Sequence, residues 1–144
     1  MYNIRNDLQY SICHPDKSEI EYPEKELNSY EVIELIKYYS WLEILKSMDN
    51  IPDEKIYYSP SLDFENLIDK RSLGITATLE NGKPEFSLWY NRPVKTRPLF
   101  GLLAEKTKMK VTDKWGFNLD KAIEYYHLFL NRNYEKLERL MTIK

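Results

Sequence analysis

Asn81-Gly82 is the feature that most narrows what this chain can fold into. The dipeptide tolerates the two positive-φ positions of a type I′ turn, and it lies between two strand-like runs, Leu73 to Glu80 and Lys83 to Asn91. Counting outward from the turn pairs Glu80 with Lys83. Ala77 then faces Phe86, Ile75 faces Leu88 and Leu73 faces Tyr90, all on one side, which must be the core side. Thr78 with Glu85, Thr76 with Ser87 and Gly74 with Trp89 fall on the other side, where the Trp89 indole is expected to lie across Gly74. A lone hairpin is marginal in water, so more strands are needed. Lys55 to Ser59 and Met109 to Lys114 are the candidates.

Asn28 and Glu31 have the spacing of a capping box, in which the Asn side chain accepts an orphan N–H while the Glu reaches back. Val32, Leu35, Ile36, Tyr39, Leu42 and Leu45 then recur at helical intervals, which predicts one helix over 28–48, stopped by Asp49-Asn50-Ile51-Pro52. Asn118 caps a second helical stretch whose stripe includes Ala122, Ile123, Tyr126 and Phe129. Asn131-Arg132-Asn133 interrupts it before a last helix with Leu137 and Met141. Two weaker patterns predict short helices. Ile4, Leu8 and Ile12 share helical spacing near the N-terminus, and Thr96 with Pro98 opens a segment to Lys106. The expected fold is α+β: a small antiparallel sheet containing the type I′ hairpin (73–91), packed against a helix at 28–48 and helices at 118–142. One domain is expected over 1–144, a length that buries a sizeable core unaided.

Cys13 is the only cysteine, so no internal disulfide can form and a reducing compartment is expected. The first twenty residues carry Arg5, Asp7, Asp16, Lys17 and Glu19 without an apolar run, and nowhere do about eighteen apolar residues follow one another. A cytoplasmic location without a membrane anchor is the expectation. A formal net charge of -2 gives no global attraction to phosphates.

The chemistry-bearing residues are sparse. Cys13 and His14 are neighbours, but adjacent residues point apart, and a nucleophile needs its base within hydrogen-bond reach. His127 shares a helical face with Glu124, yet two histidines and one cysteine cannot complete a zinc site. Asp63, Glu65 and Asp69 read as a solvated loop or helix start, since no EF-hand, P-loop or dinucleotide motif surrounds them. No catalytic residue, metal or cofactor is expected.

Charge is more informative. Residues 91–114 hold Arg92, Lys95, Arg97, Lys106, Lys108, Lys110 and Lys114 against Glu105 and Asp113. Residues 16–34 hold seven acids against Lys17 and Lys25. The expectation is a small protein-binding module, in form an immunity protein that neutralises a basic toxin domain by direct binding. Glu31, Glu34, Trp89, Tyr90, Arg92, Arg97 and Trp115 are the expected contact residues. The alternatives are nucleic-acid or small-anion binding through the basic, aromatic segment 89–115, which net charge disfavours, and a small enzyme with a pocket near Trp89 and Arg97.

Overall fold

The computed structural model describes residues 5–96, 101 and 104–143. Five antiparallel strands, β1 (Leu8–Cys13), β2 (Ser61–Asn66), β3 (Ser72–Glu80), β4 (Lys83–Thr96) and β5 (Lys106–Phe117), form one sheet whose spatial order repeats their order in the chain. Helices α1 (Ser29–Tyr38), α2 (Trp41–Ser47), α3 (Leu119–Leu130) and α4 (Tyr134–Thr142) pack on one side of it. This is the expected α+β architecture. No helix among the described residues is long and apolar enough to cross a membrane.

The hairpin has the register read from the turn. Asn81 (φ 52°) and Gly82 (φ 77°) both take positive φ, and Ala77↔Phe86, Ile75↔Leu88 and Leu73↔Tyr90 are paired with all six side chains buried. Tyr126 on α3 donates its hydroxyl to the Leu73 carbonyl at 2.6 Å, which satisfies a buried polar group and ties α3 to the sheet.

At α1 the capping box is formed: Glu31 N–H donates to Asn28 Oδ1 at 2.9 Å, and Asn28 N–H to Glu31 Oε1 at 3.1 Å. Val32 and Ile36 are fully buried beneath it, each worth roughly 1.5–3 kcal/mol relative to exposure. The single helix expected over 28–48 is broken, however, at Tyr39 and Ser40. The break turns Trp41 into the core, where its ring meets Phe86 edge-on at 5.3 Å. Its indole N–H donates to the Ile36 carbonyl, freed at the end of α1, at 2.9 Å.

Three other expectations are corrected. The helix expected around Leu8 and Ile12 is β1, because Leu8, Tyr10 and Ile12 alternate inward and pair with Asn66, Phe64 and Leu62; Ile4 lies outside the described residues. The strand expected at Lys55 to Ser59 begins later, at Ser61, and takes in Asp63 and Glu65, which are therefore strand residues rather than a loop or helix start. Leu62, Phe64 and Asn66 point into the core between them. The short helix expected over 98–106 falls largely outside the described residues, and at its far end Lys106 already belongs to β5. That strand contains the expected Met109–Lys114 segment.

Candidate interaction surface on the β4–β5 ribbon

β3 starts at Ser72, opposite Asn91. From Arg92↔Lys110 to Thr96↔Lys106, β4 and β5 therefore pair only with each other and overhang the sheet as a two-stranded ribbon. Directly paired residues share a face and successive residues alternate, so the ribbon has two unlike sides. Arg92, Val94, Lys106, Lys108 and Lys110 lie on the side that faces the helices. Pro93, Met109 and Val111 lie on the helix-free side, in line with Trp89 and Trp115. Gly116 takes φ +90° where the register shifts near Phe86, and this returns Phe117 to the core.

On the helix-free side the two indoles meet edge to face, 5.5 Å between centroids and 74° between planes. Both ring N–H groups are used: Trp89 donates to Ser87 Oγ at 3.1 Å and Trp115 to Asp113 Oδ2 at 2.6 Å. What remains outward is carbon. Trp115 is 58% exposed, Val111 55% and Met109 45%. Trp89 is paired with Gly74 across the hairpin, but it is not what a side chain there would meet first. The nearest atoms to a Cβ placed there belong to Asp63 and Leu62.

Tyr90 and Arg92, expected as contact residues beside Trp89, point the opposite way, because one residue along a strand reverses the face. Tyr90 is fully buried and Arg92 is 7% exposed. Arg92 Nε donates to Glu138 Oε1 on α4 at 2.9 Å, and Nη1 donates to Thr112 Oγ1 at 3.0 Å. Arg71 reaches the same carboxylate at 3.3 Å, donates to the Tyr90 hydroxyl, and lies 4.3 Å over the Tyr134 ring. Burial raises the pKa of the Tyr90 and Tyr134 hydroxyls, so both stay neutral, and Tyr134 donates to Asp69 Oδ2 at 2.6 Å. Two guanidiniums sharing one carboxylate clasp α4 to the sheet. Arg97 lies outside the described residues.

The acidic segment lies at the far edge. Residues 21 and 27 bridge to Ile12 and Leu8 along the outer side of β1, while β5 forms the opposite edge. Among the described residues the acidic and basic stretches thus stand a whole sheet apart, and no ion pair joins them. Asp16, Glu19, Glu21, Glu24, Glu26 and Glu34 are exposed. Glu31 is committed to its cap and to Lys25 Nζ at 2.7 Å; the Lys25 hydrogen bond and then the Asn28 N–H hold its carboxyl below the ordinary value.

Catalytic geometry is not assembled from the candidate groups. His14 Nε2 is bonded to Glu21 Oε1 at 2.7 Å, and burial, then Asp63, push the Cys13 thiol pKa up, away from the reactive thiolate. Burial and the Lys37 charge lower the His127 pKa. No group of three or more His, Cys, Asp or Glu among the described residues can hold a metal ion.

Sequence reasoning missed Met109, Val111 and Glu138 as participants. The signal for the first two was the alternation Lys106, Lys108, Lys110 against Met109, Val111, which marks a strand with one charged and one apolar side. Glu138 left none, because its role depends on how α4 docks. No protein-family model matches this chain, and neither does any curated protein or solved structure.

Proposed function

We propose that this chain is a protein-binding module that engages its partner through the helix-free face of the sheet, anchored on Trp89 and Trp115. The observation that carries the reading is the joined exposure of Trp115, Val111 and Met109 beside the Trp89 ring. Interface centres are enriched in Trp and Met and depleted of Lys, and the strip from Trp115 to Met109 has that composition while Lys106, Lys108 and Lys110 sit behind it. Nucleic-acid binding by stacking wants rings and cations on one surface. The ribbon puts Lys106, Lys108 and Lys110 on the face opposite the rings, and Lys95, which shares the rings' face, is paired with Glu105.

Neutralisation of a toxin by direct occlusion is the specific form of this reading. The exposed Glu19, Glu24 and Glu26 at the β1 edge support it, since an acidic edge speeds encounter with a basic partner.

Affinity capture from the native cell extract, with wild type and a Trp89→Ala/Trp115→Ala variant side by side, tests the proposal. A protein retained by the wild type and lost from a normally melting double variant is the expected result. Identical retention by both would overturn it.

A further inference from the structure

We infer that the outer edge of β5 receives an extended segment of the partner protein, one in which acidic and apolar residues alternate, added as a sixth strand to the sheet. The inference rests on the protein-binding reading and specifies the chemistry of the one partner segment that meets β5, separately from the basic surface that would face the acidic β1 edge.

Three observations converge on this edge. β5 is terminal in the sheet, and among the described residues nothing pairs with its outer side, so every second residue presents its N–H and C=O outward. Residues 106–111 are all exposed, and their side chains sort strictly: Lys106, Lys108 and Lys110 to one face, Thr107, Met109 and Val111 to the other. None of the three lysines forms an ion pair with a described residue. Lastly, a cleft of about 520 Å³ opens where the same strand passes the end of α4, lined by Thr112, Asp113, Trp115, Met141 and Ile143 among others. Ile143 is exposed at its rim.

A strand laid on this edge would set its residues directly beside those of β5. Carboxylates on alternate positions would meet the lysines, and apolar side chains on the positions between would cover Met109 and Val111. The next apolar residue along would enter the cleft against Trp115. Main-chain hydrogen bonds supply affinity in this mode, and the alternate side chains supply selection. A second copy of this chain pairing β5 to β5 about a two-fold axis would bring lysine face to lysine face, which like-charge repulsion disfavours.

The test uses a short synthetic peptide alternating Glu with Ile, beside a scrambled peptide of equal composition and a single-stranded oligonucleotide of similar charge. Binding to the intact protein is read by amide NMR shifts and hydrogen exchange. The alternating peptide should protect β5 amides and bind about tenfold tighter than the scramble, with Lys106→Glu/Lys108→Glu/Lys110→Glu abolishing the difference. Equal binding of the scramble or the oligonucleotide, protection confined to another edge, self-association through β5, or no binding at all would each overturn the inference. If the tryptophan-dependent capture succeeds while the peptide fails, strand addition is wrong and the protein-binding reading stands.

Discussion

The Asp63 carboxylate fills the space that a side chain on Gly74 would need: a Cβ there would stand 2.9 Å from Asp63 Oδ1. The two residues are directly paired across β2 and β3 on the helix-free face. Gly74→Ala should therefore destabilise the protein by about 1–2 kcal/mol in chemical denaturation, and Asp63→Ala in the same chain should recover much of it. Additive losses in the double variant would show that the two sites are uncoupled.

The same carboxyl makes stability depend on pH. Burial first, and the Glu65 charge second, raise its pKa from 3.8 to about 6. Between those values the folded chain keeps a proton that the unfolded chain has released, so this group's contribution is most favourable at the acid end. It is lost as pH rises through about 6. Asp63→Asn should remove that slope and add about 1–2 kcal/mol at neutral pH, after allowance for partial exposure. Melting temperatures of the two proteins across this range decide it; a parallel pH dependence would contradict the assignment.

The hairpin and the α1 cap were legible because each is local: a turn dipeptide sets a register, and a side chain three residues away closes a cap. The break at Tyr39 and Ser40 was not, since the stripe through Leu42 and Leu45 continues at helical spacing across it. Only the packing of Trp41 on Phe86 shows why the helix must stop. Leu8 and Ile12 misled for another reason. A spacing of four fits a helix and is also an even number, so it fits a strand equally well. At the candidate surface, Trp89 was readable from the turn. Its contact with Trp115 depends on the register of β5, which shifts between Phe86 and Leu88.

Trp115 should separate binding from folding. With its ring mostly in water, Trp115→Ala should change stability by no more than about 0.5 kcal/mol, while weakening partner binding by about 2 kcal/mol. Titration calorimetry against the captured partner, with a parallel denaturation curve, checks both halves.

Glu138 should behave in the reverse way. Glu138→Gln leaves the buried Arg92 and its neighbour Arg71 without their shared carboxylate, a loss of about 2–4 kcal/mol. Arg92→Met/Glu138→Leu, which removes charge from both sides of the main pair, should cost less than the single change, as measured by urea denaturation.

Cys13 should react slowly. Its thiol is half-buried with a raised pKa, so alkylation by iodoacetamide at neutral pH should lag that of an unstructured cysteine peptide. It should match the peptide once the protein is unfolded in denaturant.

The order of the strands has a bearing on synthesis. After β1 has found β2, each later strand pairs with the one that left the ribosome just before it, so the sheet can grow by short steps at the pace of translation. Its cover comes last. Until α3 and α4 emerge, the side of the sheet bearing Leu73, Leu88 and Tyr90 has no partner for much of its apolar surface. The nascent chain is therefore most prone to aggregate in the interval between completing β5 and releasing its C-terminal helices.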